Sequence, residues 1–379
     1  MQGIERSHCE AVIEAVLNSV YAFWHSTVED ALKPISKYGK KDTLGMDAIP
    51  EISTIKTLQE YDGCSAVITE ETGLKTSVYL ANSDDPNYFR TVFISDPTDR
   101  SSQIKQALEG VANKKQKVSA VMGTPGFRDI WENRFSRPLD ITGGMSAVTC
   151  VRRGIPIFSV MVNYITRKLF LACSAGCYSF ALSGDKPNVG LNLILTRGKK
   201  IFFNNIHSDK DMTRFVTFMG KTGYKENFID SQFMAEEDMK ENLYYDLPGG
   251  PSRILYLSDM QPSPLGFILA NGEKITEWIH WLPYLRFACR KDDQGEPALR
   301  LFEIYQDRPW TKEGVLMATP PAYSIFKSTG EGNKMIININ QLNYFVNPSK
   351  VRSTLILSPA NNNWAARMVS QYGYRQIEF

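Results

Sequence analysis

Apolar side chains recur at three- and four-residue spacing near the start of the chain: Val12, Ile13, Val16, Leu17, Val20, Tyr21 and Trp24. That period predicts one amphipathic helix over about residues 5–32, closed by Pro34 and Gly39. A polar loop, KYGKKDTLGMDA, leads to a second helical pattern through Ile52, Ile55 and Leu58, which YDGC ends. The pattern then shortens to two β-rich runs, SAVITEE and TVFISDP. From Gly143, AVTCVRR, IPIFSVMVNY and KLFLACSAG follow one another across the turn signals RG and ITR, as in an antiparallel meander. NLILTRGKKIFF has the same strand-like quality, which makes RGKK a hairpin tip. Residues 209–242 are polar and helix-permissive, with Met212, Phe215, Val216 and Met219 on one face. Beyond the DLPGGPS break, ILYL and GFILANGEKI read as strands, and the end of the chain reads as strand, strand and closing helix.

These elements predict an α/β (α+β) chain in α-β-α-β-α layers with largely antiparallel sheets. Three segments are expected: an α+β domain over 1–142, an α/β domain over 143–330, and a strand-plus-helix extension over 331–379 packed on the second domain.

Composition narrows the partners. The 379 residues are 43% hydrophobic, enough for a substantial core, and 43 Lys and Arg oppose 41 Asp and Glu for a formal charge of +2. No strong field exists for nucleic acid or an anionic membrane, so neither is an expected partner. Glu5, Arg6 and Glu10 interrupt the first apolar stretch, unlike a signal peptide, and IPIFSVMV is too short to span a membrane. A cytoplasmic location is the expectation. Cys173 and Cys177 have no histidine or third cysteine nearby and read as buried packing residues. His25 reads as a core or rim residue, and neither it nor His207 accompanies a nucleophile motif.

The chemistry concentrates in VFISDPTDRSS, where an apolar strand runs into Asp96 and Asp99 with Pro97 between them. Upstream, VITEETG ends a second apolar strand in Glu70 and Glu71. Neighbouring strand ends would converge three or four carboxylates on one point. Such a cluster without a cation raises its own pKa values, and its hard oxygen donors favour Mg²⁺ over zinc. Ser101 and Ser102 add hydroxyls and amides where a phosphate could sit.

TEE at Thr69–Glu71 and DPTDRSS at Asp96–Ser102 resemble the acidic elements of the Mg²⁺-dependent, lithium-sensitive phosphatases, the family of inositol monophosphatase, fructose-bisphosphatase and the bisphosphate nucleotidases. GKKDTLGMD resembles that family's upstream loop and places Asp47 on its final aspartate. The resemblance implies that Glu70, Asp96, the Thr98 main-chain carbonyl and Asp99 hold Mg²⁺ or Mn²⁺. It implies catalytic roles for Asp47, Glu70 and Ser101, and phosphate binding by Arg100, Ser101 and Ser102. The implied reaction is hydrolysis of a small sugar, inositol or nucleotide phosphate by metal-activated water, in a chain that could form a homodimer.

Two positions depart from the family pattern. Arg100 stands where the family has glycine, and in EWIHWLPYLRF Ile279 follows Trp278 where the family has aspartate. Glu277 and His280 are the candidate substitutes for that ligand; Trp278, Trp281 and Leu282 read as core. A phosphatase fold that binds a phosphorylated ligand or a protein partner without turnover is therefore the alternative. The loops over 103–141 and those of the second domain are expected to select the substrate.

Overall fold

The computed structural model describes residues 3–36, 38–39, 41–61, 66–76, 91–99, 101–135, 144–184, 188–201, 254–256, 267–269, 279–288, 295, 297, 299–306, 334–337, 354–359 and 373–379. It divides into two units, Met1–Ile201 and Phe202–Phe379.

The first unit opens with α1 (Gly3–His25), whose predicted stripe is buried throughout. The single helix expected to residue 32 is two. Thr27 takes extended backbone and its hydroxyl accepts the Asp30 N–H at 3.0 Å, capping a new helix, α2 (Val28–Leu32). His25 is exposed, not core, and a ring nitrogen bonds the Tyr21 carbonyl at 2.9 Å. Helix α3 (Gly45–Gln59) starts hard against α2: a Cβ on Gly45 would lie 1.9 Å from the Asp30 carbonyl oxygen, so only glycine fits there.

An eight-stranded sheet carries the unit: β1 (Ala66–Thr69), β2 (Gly73–Thr76), β3 (Thr91–Asp99), β4 (Met145–Arg152), β5 (Ile155–Asn163), β6 (Lys168–Cys173), β7 (Gly176–Ala181) and β8 (Lys199–Ile201). Its spatial order is β2-β1-β3-β4-β5-β6-β7-β8, antiparallel throughout except where β1 lies parallel to β3. The layered α/β class and the largely antiparallel sheet are as the patterning predicts. Both β3 and β4 are buried at nearly every position, as central strands are. Helix α1 packs on α3, β4 and β5, and α3 packs on β1 and β3. The Trp24 indole N–H reaches across to the Tyr164 carbonyl at 3.1 Å.

Several expectations are corrected here. The boundary placed at 142/143 falls within this sheet, because β4 pairs with β3 from Arg152 to Met145; the units part at Ile201. NLILTR forms a helix, α7 (Leu191–Arg197), with Leu191 and Ile194 buried on one face, so RGKK joins a helix to β8. A short apolar run does not reveal its period. The segment expected as loops holds helices: α4 (Ser101–Glu109), α5 (Val118–Met122) and α6 (Pro125–Phe135). Pro125 stands at the first helical position, and the Thr124 hydroxyl accepts the Phe127 N–H at 3.2 Å. Cys9, Cys150, Cys173 and Cys177 are free and buried.

The second unit contains the hairpin β9 (Ile254–Tyr256) and β10 (Phe267–Leu269), helix α8 (Leu282–Ala288), and a three-stranded sheet in the order β12-β11-β13. That sheet joins β11 (Leu299–Gln306) to β12 (Thr354–Pro359) and β13 (Gly373–Ile377). Two strands from the last fifty residues pair on either side of β11. Within this sheet, Arg375 Nε and buried Glu303 Oε2 form a partly buried ion pair at 2.8 Å. The closing helix expected after β12, the helix expected over 209–242 and His207 lie outside the described residues. Among the described residues, no helix is long and apolar enough to cross a membrane.

Candidate active site

Strands β1 and β3 run side by side in the same direction, with Thr69 opposite Ser95. The Glu70 N–H extends that pairing to the Ser95 carbonyl at 3.2 Å. Glu70 and Asp96 therefore leave adjacent strands at the same level. Parallel pairing produces this convergence, since two antiparallel strands would put their ends at opposite edges. Asp96 is only 1% exposed, whereas Glu70 and Asp99 are half-buried.

Beyond Asp96 the ladder slips. Asp96 faces Ala147 and Asp99 faces Met145, so three steps on β3 match two on β4. Pro97 has no N–H to offer a ladder, and the bulge forms around it. Two hydroxyls then hold the bulge. The Tyr164 phenol donates to the Pro97 carbonyl. The Thr98 hydroxyl donates to the Met46 carbonyl of α3 at 2.7 Å, beside Asp47.

Asp47 is the third residue of α3, nearly buried, and its Oδ2 accepts the Leu44 N–H at 3.0 Å at the start of its own helix. The Ser101 hydroxyl, on the first residue of α4, also bonds this carboxylate. Burial pushes Asp47 up to about 7, and the charges of Glu71 and Glu70 push the same way, against the Leu44 and Ser101 bonds. Ser102 is exposed, with its hydroxyl 3.3 Å from Gln103 Oε1. Of the predicted residues, Asp47, Glu70, Asp96, Thr98, Asp99, Ser101 and Ser102 fall at this one edge of the first unit.

Arg100 and Glu277 lie outside the described residues. His280 is 2% exposed in the second unit, next to buried Ile279, Trp281 and Leu282.

Three groups at this edge were not anticipated. Glu51, four residues after Asp47 on α3, is fully buried and accepts the hydroxyls of Thr69, at 2.7 Å, and Thr72. Burial raises its pKa, and the two threonine bonds oppose the rise. Tyr38 lies alongside, its phenol pushed up first by burial and then by the Glu51 charge. Tyr164, beneath the bulge, is raised mainly by burial, with Asp96 adding to it. The i,i+4 spacing of Asp47 and Glu51 was the one sequence signal available for any of them.

The donor set is all oxygen, with a deeply buried aspartate beside a glutamate and no histidine or cysteine among them. That chemistry fits a hard divalent cation. Among the described residues, no three His, Cys, Asp or Glu side chains stand as a group that could hold a metal as placed.

No family model and no curated protein matches the chain. Solved structures do. CysQ from Bacteroides thetaiotaomicron, a bacterial member of the inositol monophosphatase family, is 15% identical over 54% of this chain and 60% of its own, with a TM-score of 0.32. A Pyrococcus horikoshii protein with similarities to inositol-1 monophosphatase is 16% identical over 47% and 46%, at 0.27. Leishmania major fructose-1,6-bisphosphatase is 12% identical over 46% and 50%, at 0.30. The chain thus spans about half to three-fifths of the length of these structures.

Proposed function

We propose that the chain is a divergent phosphatase of the inositol monophosphatase and fructose-bisphosphatase type, a metal-dependent phosphomonoesterase acting on a small sugar, inositol or nucleotide phosphate. The observation that carries this reading is the parallel β1–β3 pairing, which sets Glu70 beside buried Asp96 with Asp47 and Ser101 at the same edge.

Glu70, Asp96, Asp99 and the Thr98 carbonyl would hold Mg²⁺, with Mn²⁺ as a substitute. When bound, the cation supplies positive charge that offsets these carboxylates, acidifies water and stabilises the leaving ester oxygen. Ser101 aims a water at phosphorus, and Asp47, with its raised proton affinity, accepts a proton from it. The water oxygen bonds to phosphorus as the phosphorus–ester oxygen bond breaks, releasing alcohol and inorganic phosphate. The N-terminal turn of α4, a nine-residue helix, favours the phosphate charge, and Arg100, one residue earlier in the sequence, would add a cation. Activity on a panel of phosphate esters with Mg²⁺ tests the reading. Wild-type protein should release phosphate, and Asp96→Asn and Glu70→Gln should each abolish release while the circular dichroism spectrum is unchanged; no release from any ester would refute it.

A second reading is favoured by Ile279, which is fully buried where the resemblance calls for a ligand. Under it the chain binds a phosphorylated ligand without turnover. Calorimetry showing ester binding with no phosphate release would select it.

A further inference from the structure

Glu51 is a fully buried carboxylate that the proposed chemistry does not use. Its bonds share one target. Thr69 and Thr72 each donate a hydroxyl to Oε1, and the Glu71 N–H also bonds this carboxylate. The two threonine hydroxyls lie 3.0 Å apart, and the Thr72 N–H reaches Thr69 Oγ1 at 3.4 Å. These three donors belong to the four-residue turn that contains Glu70, and the Tyr38 phenol bonds the same carboxylate from outside it. On its other side Glu70 is tied to β3 through the Ser95 carbonyl. The turn is thus gripped from α3 below and β3 beside it.

We infer that Glu51 is a positioning residue, which holds the Thr69–Thr72 turn so that Glu70 stays aligned with Asp96 for a divalent cation. The inference rests on the proposed metal-dependent function. Three donors converging on one group require an acceptor-only partner, which an ionised carboxylate is and an amide is not. In Glu51→Gln the negative charge that these donors converge on is lost, and a single oxygen remains to accept from them. Because α3 carries both Asp47 and Glu51, the helix that presents one carboxylate to the site also braces the turn that presents another.

The test is Mn²⁺ binding, read from the paramagnetic resonance signal of the free ion, alongside the thermal midpoint of the cation-free protein. Glu51→Gln should weaken Mn²⁺ binding at least tenfold in the folded protein. Thr72→Val removes one donor and should weaken it less, while Glu51→Asp should restore part of the loss. A lowered midpoint with unchanged Mn²⁺ affinity in the folded fraction means that Glu51 is only structural, and overturns the inference. If Glu51→Gln does not fold, Thr72→Val decides alone: unchanged affinity overturns the inference and reduced affinity supports it. Wild-type protein that binds no Mn²⁺ refutes the functional reading itself and the inference with it, an outcome distinct from equal affinity in wild type and variants.

Discussion

The Thr98 hydroxyl donates to the Met46 carbonyl at 2.7 Å, and Pro50 leaves that carbonyl open to it. In an uninterrupted helix the residue 50 N–H would bond the carbonyl of residue 46, but Pro50 has none and sits inside α3. A side chain of the strand bulge thus supplies the donor that the helix lacks at Met46, while the bulge's own Pro97 carbonyl is served by Tyr164. The contact fixes the Asp96–Asp99 bulge to the turn of α3 that bears Asp47.

Thr98→Val should therefore be costly despite its similar shape. It leaves a buried carbonyl without its donor, a loss of about 1–3 kcal/mol. Urea denaturation should show a lower midpoint with an unchanged slope; a midpoint equal to wild type would show that the bond does not hold the bulge.

The same reasoning applies to Tyr164, whose phenol serves the Pro97 carbonyl from a position 1% exposed. Tyr164→Phe keeps the ring and removes the donor, so a loss of similar size, about 1–3 kcal/mol, is expected. Thermal unfolding of wild type and variant checks it.

Gly39 has φ of +59°, and a Cβ there would meet Glu71 Cβ, the Glu71 carbonyl and Thr43 Oγ1, each at 3.0 Å. Thr43 also donates its hydroxyl to Glu71 Oε2. Gly39→Ala combines left-handed strain of about 1–2 kcal/mol with a clash that pushes on the Glu70–Glu71 turn. A reduced thermal midpoint is expected, and weaker Mn²⁺ binding with it.

The raised acids give a pH signature in the cation-free protein. Folding moves Asp47 from an ordinary 3.8 to about 7, and Glu51 moves the same way. Both hold protons more tightly folded than unfolded; the Asp47 contribution is complete below about 3.8 and is lost as pH rises through about 7, and that of Glu51 is lost in the same direction. In EDTA, the stability of wild type relative to Asp47→Asn should fall across that window. A constant difference would show that Asp47 is not raised.

The acidic motifs were legible because each ends an apolar run, and such runs mark strands whose last residues emerge together when they pair. The α1 stripe was legible through its period. The end of α1 was not, because Thr27 acts through backbone that apolar spacing ignores. The helix at NLILTR was missed because six residues carry less than two turns of pattern. The boundary near Gly143 followed a real change toward strands, yet β4 pairs with β3 across about fifty intervening residues, a contact that local pattern does not encode. Tyr164 was invisible for a related reason, and the i,i+4 spacing of Glu51 from Asp47 did not reveal its role, because that role depends on which turn lies against it.

The central claim is that Glu70 and Asp96 form the heart of a divalent-cation site. Titrating purified protein with Mn²⁺ and following the free-ion signal tests it most directly, in wild type, Glu70→Gln and Asp96→Asn. Wild type should deplete the signal, and each variant should lose at least tenfold in affinity while remaining folded. Equal binding by all three, or no binding by wild type, would contradict it.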